Sequence, residues 1–405
     1  LQEAVVDLTF YSNFESSVAQ QEAQINLLQS QVSTGLAVQT PEQNPAAYGT
    51  ATFSNDQISQ LSADNTTQAA LQSQLGSVSD VYASVSSLFD SVQSVIEQAL
   101  NATSSPQDLQ TLSTQVSSAA TQLVGLANTT GSTGQYLFGG SRGTVAPFQT
   151  GADGSIVYLG DGGQSQVSVA PGDNVSALTN GEVFTAGLSG DGTVSVTANA
   201  GNTGTGTLTG QVVNPSAAAA FQAGNTPITL SFAQGASGLT YTATSGGSTI
   251  ASGAVTSGQS LQLAGEDFTI AGTPASGDSF TLSPSRPQSA FSLLQTVASA
   301  LATAASTPAA AAQTRQVLDQ SLATLSQYQQ GVLTAQAQNG VTLQAVNNAN
   351  AANANQTTSL ETSVQNATGA NIPVAIASLD QSVTALQAAM KAFGDVQNLS
   401  LFSYL

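Results

Sequence analysis

The sequence predicts an α+β protein: N- and C-terminal helices paired in an elongated α-helical coiled-coil bundle, with an inserted antiparallel β-rich domain. Composition changes twice along the chain: residues 1 to about 130 are rich in Gln, Ala, Ser and Leu, about 140 to 285 in Gly, Thr, Val and Ser, and from about 288 the first composition returns. In the outer segments apolar residues recur at alternating spacings of three and four, the period of a helix that buries one stripe. In the middle, glycine-containing turns separate short alternating runs, the pattern of antiparallel strands.

Phe14, Val18, Ile25, Leu28 and Val32 share one heptad frame, interrupted only by polar Gln21, and predict a first helix ending near Gly35. Thr40-Pro41-Glu42-Gln43-Asn44-Pro45 follows, where each proline removes a donor and pushes its predecessor out of helical geometry, so a turn or extended loop is expected. Leu71, Leu75, Val78, Tyr82, Val85, Phe89, Val92 and Ile96 fill the a and d positions of a long helix. The stretch Asn101 to Pro106 breaks it; Pro106 and Asp108 suit the first turn of the next helix, continued by Leu109, Leu112, Val116, Leu123 and Leu126.

Strand signals follow at Ser155–Leu159, Gln164–Val169, Gly192–Val196, Ile228–Phe232, Leu239–Thr244, Leu261–Leu263, Phe268–Ile270 and Phe280–Leu282. In the last segment Leu318, Leu322, Leu325 and Val332 begin a stripe that continues more weakly through Leu343 and Val346 and thins out over Asn347 to Gln356. After Gly369 and Pro373 a final helix carries Ile376, Leu379, Val383, Leu386, Met390 and Phe393 at three-four spacing. The end segments lack complete cores of their own and are expected to build one bundle. Its extreme helices have the fewest partners within the chain, which makes them the natural surfaces for pairing with other copies.

The 405 residues include no His, no Cys and no Trp, and 4 Lys and Arg against 23 Asp and Glu give a formal net charge of −19. Nucleophilic machinery of the Ser-His-Asp or Cys-His kind, thiolate or imidazole zinc sites and disulfides are thereby excluded. Arg142, Arg286, Arg315 and Lys391 cannot neutralise a run of phosphates, so neither nucleic acid nor a membrane surface is an expected partner. No run reaches the roughly 18 apolar residues of a membrane span, and Leu1 to Phe10 lack the basic start and apolar stretch of a signal peptide, so export is expected by another route. Gly277-Asp278-Ser279-Phe280 reads as a turn before a strand, since no histidine can serve as base. Asp153, Asp161 and Asp173 beside glycines lack calcium-loop spacing and read as turn residues; Glu266 and Asp267 are expected in a solvated turn. No catalytic, cofactor or metal residue is assigned, and an enzyme is not expected.

Three stretches carry a resemblance. Gln31-Val-Ser-Thr-Gly-Leu-Ala-Val-Gln-Thr-Pro-Glu-Gln-Asn-Pro-Ala-Ala47 joins a Ser-Thr-Gly turn to a proline loop, Leu126-Ala-Asn-Thr-Thr-Gly-Ser-Thr-Gly-Gln-Tyr-Leu-Phe-Gly-Gly140 with Ala146-Pro-Phe148 leaves the helical part for the β part, and Ser400-Leu-Phe-Ser-Tyr-Leu405 ends the chain. Together they resemble the bacterial flagellin-type axial proteins and are most similar to the hook–filament junction family, the third hook-associated proteins. The resemblance implies a secreted, extracellular structural subunit of the flagellum, exported by the flagellar type III apparatus. Its partners would be identical subunits in a ring or tube, an adjacent hook-associated protein, flagellin and an export chaperone. Residues 1–45 and 370–405 would be the terminal assembly domain, 46–145 and 288–369 the helical trunk, and 146–287 the outer β domain. Assembly is expected through Phe14, Val18, Ile25, Leu28, Val32, Ile376, Leu379, Val383, Leu386, Met390 and Phe393, with Leu399, Leu401, Phe402, Tyr404 and Leu405 as the chaperone or terminal contact. A flagellin filament subunit and a flagellin-like surface adhesin or glycan-binding protein are the alternatives.

Overall fold

The computed structural model describes residues 2–101, 105–163, 166–170, 173–176, 179–256, 258–304 and 307–402, with backbone alone for 2–8, 10, 173 and 396–402. Helices α1 (Gln2–Thr34), α2 (Pro45–Leu100) and α3 (Pro106–Ala127) come first. The middle holds β1 (Phe148–Thr150), β2 (Ile156–Tyr158), β3 (Gln166–Ala170), β4 (Asp173–Ser176), α4 (Glu182–Thr185), β5 (Val194–Ala198), β6 (Thr207–Val212) and α5 (Pro215–Ala223). It continues with β7 (Ile228–Gly235), β8 (Gly238–Ser245), β9 (Ser248–Ala254), β10 (Ser260–Leu263), β11 (Glu266–Ala271) and β12 (Ser279–Pro284). Helices α6 (Ala290–Ala302), α7 (Pro308–Thr368) and α8 (Ile372–Phe402) complete the described chain. It forms two compact units, Leu1–Thr66 with Ala349–Leu405, and Thr67–Asn348.

In the second unit every member of the heptad seam from Leu71 to Ile96 is buried. From Val78 onward the seam shares one core with Leu112, Val116 and Leu123 of α3, Phe291 and Leu294 of α6, and Leu318, Leu325 and Val332 of α7. Each such large side chain contributes roughly 1.5–3 kcal/mol on leaving water, enough to hold together helices far apart in sequence. Helix α3 starts at Pro106 as predicted, and Ser105 caps it. Its hydroxyl accepts from the Asp108 N–H at 3.2 Å while the Asp108 carboxylate accepts from the Ser105 N–H at 2.9 Å. The Ser105 hydroxyl also donates to the Asp108 carboxylate at 2.7 Å, and this bond first, then the one from the Ser105 N–H, holds the Asp108 carboxyl below its usual range.

The β part is antiparallel, with a five-stranded sheet in the order β5-β12-β7-β8-β9, a three-stranded sheet β10-β11-β6 and the pairs β1-β2 and β3-β4. The two larger sheets share a core that includes Leu230, Phe232, Phe268, Ile270, Phe280 and Leu282. Asp278, one residue ahead of β12, is buried and accepts from the N–H groups of Thr203 at 2.8 Å, Gly204 at 3.1 Å and Ala275 at 2.8 Å, so it ties a turn together as expected. Asp153 and Asp161 likewise accept from Ser155 and Gly163 in their own turns; the Asp173 side chain lies outside the described residues. Glu266 departs from expectation. Ala264 (φ 54°) and Gly265 (φ 82°) make a two-residue hairpin turn, which places Glu266 at the first position of β11 with 1% of its surface exposed.

Helix α7 joins this β part to the helical core of the same unit through a row of amide and hydroxyl side chains. The buried Gln316 amide donates to the Leu208 carbonyl at 2.9 Å and accepts from the Leu208 N–H at 2.7 Å, closing the free edge of β6. Gln320 accepts from the Val196 N–H on the edge strand β5 at 3.1 Å, and Thr324 and Gln327 donate to the Gly190 carbonyl at 3.1 and 3.0 Å. Capping exposed strand edges in this way removes a template for unwanted pairing. Replacing Gln316 by Ala strands two buried backbone groups and is expected to cost about 2–5 kcal/mol in urea unfolding. Gln313→Ala, which releases only loop carbonyls near Asn202, should cost under about 1 kcal/mol by the same measurement.

Candidate assembly surface

In the first unit α1 and α8 pack along one another. The expected stripes face each other there: the Phe14 ring stacks on Phe393 with centroids 3.9 Å apart and planes within 5°, and Tyr11 meets the edge of the same ring at 5.4 Å. Leu28 and Ala375 are buried, whereas Phe14, Val18, Ile25, Val32, Leu379, Val383, Leu386 and Phe393 are half-buried. Val374, Ile376 and Met390 stay 58%, 42% and 59% exposed. The terminal stripes therefore find more of their partners within the chain than the sequence led one to expect. A helix pair covers one flank of each stripe, however, and the other flank remains apolar and open to solvent. Leu399, Leu401 and Phe402 belong to the last turns of α8 by backbone alone, and Tyr404 and Leu405 lie outside the described residues.

The Ser-Thr-Gly motif positions this pair. Gly35 ends α1 in left-handed geometry (φ 74°), where a side chain would be strained, and its carbonyl accepts from the Ala370 N–H at 2.8 Å. The Thr368 carbonyl accepts from Ala37 at 2.6 Å, so the end of α1 and the turn between α7 and α8 are laced by backbone bonds. Gln39 donates to the hydroxyls of Ser30 and Thr34, both at 2.9 Å. Asn44 and Asn371 each accept from an N–H three residues on, capping α2 and α8. Over the Asn-rich stretch of α7, Asn353 is buried and donates to Asn65 at 3.2 Å; small neighbours and paired amides replace a greasy seam.

In the second unit the Leu126–Phe148 stretch is a built joint. The Asn128 amide donates to the Phe148 carbonyl at 2.8 Å and accepts from the Phe148 N–H at 3.0 Å, mimicking a strand partner. Phe148 is thereby held against Phe184 at 5.4 Å and Phe291 at 5.0 Å, and Phe138 meets Phe184 edge-on at 5.1 Å. The Tyr158 hydroxyl accepts from Gly181 at 2.9 Å and donates to the Asp161 carbonyl at 3.0 Å. Burial pushes the Tyr158 and Tyr82 hydroxyls to higher pKa, so both are neutral hydrogen-bonding groups. Sequence reasoning marked this stretch by likeness. The Asn128–Phe148 pairing itself has no periodic signature.

Residues 5–142 match the family model described as the bacterial flagellin N-terminal helical region. Among solved structures, FlgL of Xanthomonas campestris is 28% identical with a TM-score of 0.68, covering 76% of this chain and 97% of its own. The flagellar hook-associated protein 3 of Legionella pneumophila is 24% identical with a TM-score of 0.71, covering 78% of this chain and 98% of its own, and so speaks for the fold. A putative flagellar hook-associated protein from Vibrio parahaemolyticus shares the fold at 12% identity and a TM-score of 0.51, covering 81% of this chain and 100% of its own. No curated protein sequence matches. The likeness read from the motifs to hook–filament junction proteins is borne out. Among the described residues no group of three carboxylates, histidines or cysteines could hold a metal, and no helix is long and apolar enough to cross a membrane.

Truncating Phe393 to Ala removes the ring on which Phe14 and Tyr11 rest. Half the cost of a buried phenylalanine, about 2 kcal/mol, is expected, seen as faster amide exchange in α1 and α8 with α3 and α6 unchanged. Asn128→Ala is expected to lower the unfolding free energy by about 2 kcal/mol, and Asn128→Asp, which sets a carboxylate against the Phe148 carbonyl, by at least as much.

Proposed function

We propose that this chain is a structural subunit of the bacterial flagellum that joins hook to filament and assembles through its terminal helices. The α1–α8 pair carries this reading, because its outer flank leaves Val374, Ile376 and Met390 exposed in a chain that is similar to a junction protein over 76% of its length. Identical subunits cover that flank in a ring or tube, and an adjacent hook-associated protein and flagellin meet the two ends. Residues 1–45 and 370–405 serve as the assembly domain, 46–145 and 288–369 as the trunk, and 146–287 as the outer β domain. The protein works as architecture, and catalysis has no part in it. A filament subunit is less supported, since the solved structures named above are junction or hook-associated proteins.

With 7% charged residues, apolar contact and amide hydrogen bonds carry the association, against the repulsion of a net charge of −19. The protein leaves the cell through the flagellar type III apparatus, and a chaperone covers the Leu399, Leu401, Phe402, Tyr404 and Leu405 end before assembly.

Ile376→Asp combined with Met390→Asp adds charge where both side chains already meet solvent, so the melting temperature of the purified subunit should stay within a few degrees of wild type. Cells carrying the double variant are expected to show hooks without filaments in electron micrographs; filaments of normal number and length would contradict the reading. Replacing Leu399, Leu401, Phe402 and Tyr404 by Ser should weaken binding to the export chaperone at least tenfold by calorimetry, and unchanged affinity would remove that role from the C-terminal end.

A further inference from the structure

The β part holds a carboxyl pair that assembly does not use. Glu266 is buried at the start of β11, and Asp191 and Thr193 face it from the turn ahead of β5. The Thr193 hydroxyl lies 2.8 Å from the Asp191 carboxylate and 2.5 Å from the Glu266 carboxyl. A hydroxyl has one hydrogen and can satisfy one of these oxygens by donation. Asp191 already accepts from the N–H groups of Thr193 at 2.8 Å and Val194 at 2.9 Å, which fix its carboxylate beside the Thr193 hydroxyl. With the hydroxyl hydrogen directed to Asp191, the contact to Glu266 needs a second hydrogen, and the only place for it is on the Glu266 carboxyl.

We propose that Glu266 carries its proton in mildly acidic solution and releases it around neutral pH, and that while protonated it donates to Thr193, which donates to Asp191, forming a proton-dependent clasp between the three-stranded and five-stranded sheets. The surroundings agree. A Cβ on Gly210 of β6 would fall 2.4 Å from the Glu266 carboxyl, so the strand backbone presses on the group and keeps solvent from it. Opposite it on β10 stands Leu263, the next residue of β11, Asp267, points to the other face, and Asp191 is the charge acting on the pair. Burial first, and then the Asp191 charge, raise the Glu266 carboxyl from 4.5 to about 7. The turn so held also anchors α7, because Thr324 and Gln327 donate to the Gly190 carbonyl.

The sign follows from linkage. A carboxyl raised in the folded state gives stability that is complete below 4.5 and is lost as pH climbs through about 7. Proton release to solvent leaves two carboxylates sharing one hydroxyl hydrogen, and the joint between the sheets loosens.

A carbon-13 NMR titration of the glutamate carboxyl carbons in the full chain, with Glu266→Gln to assign the signal, tests this. A midpoint near 7 for Glu266 is expected, and a midpoint near 4.5 would overturn the proposal. If E266Q does not fold, Thr193→Val supplies the assignment by shifting the same midpoint while the other glutamate signals stay in place. Amide exchange, corrected for intrinsic rates, gives the second readout. Protection of β5 and β11 should fall at least fivefold between pH 5 and pH 8 in the wild type and stay constant in E266Q. An equal fall in both would refute the clasp.

Discussion

The structure depends on one seam. The apolar stripe of α2 from Leu71 to Ile96 is buried, and its core is completed by α3 and by α6 and α7, which lie on the far side of the β insert in sequence. No helix here is stable on its own apolar face, so the trunk closes only when the two ends of the chain meet. The β part can therefore be inserted without disturbing the bundle, provided that its entrance and exit are pinned. Asn128 with Phe148 pins the entrance, and the Tyr328 hydroxyl, donating to the Gln288 carbonyl and accepting from Gly187, pins the exit.

Amide side chains do here much of what charge does in other proteins. The glutamines of α7 complete the edges of β5 and β6, Asn353 meets Asn65, and Asn128 completes a strand-like pair. The few basic residues act locally: Arg286 donates to the carbonyls of Gln222 and Gly224 at the C-terminal end of α5, and Arg142 donates to Leu159.

The helices were legible because burial of a stripe leaves a period in the sequence. Each seam position from Leu71 to Ile96 is buried, α1 and α2 end at the predicted Gly35 and Asn101-to-Pro106 signals, and α3 starts at the predicted Pro106. The strands with large apolar residues were legible for the same reason. Strand β6 was missed because Gly210 breaks its alternation, and that glycine is there to make room for Glu266 and Phe268. Strand β9, made mostly of small and hydroxyl residues, has little apolar signal to read. The glutamine row was invisible for another reason: its partners are backbone groups, and one more glutamine in a glutamine-rich helix looks like surface. At the assembly surface the stripe residues were legible, but their mutual packing in one chain was not, since a heptad does not say which helix covers it.

For the joining role, geometry in the terminal helices matters more than any single side chain. In that proposed role the exposed flank of the α1–α8 pair, with Val374, Ile376 and Met390, is what neighbouring subunits complete. Deleting the gene, imaging the cells by electron microscopy and assaying flagellin in the medium tests this most directly. Bare hooks with unpolymerised flagellin shed into the medium are the predicted result; filaments of normal appearance would contradict it.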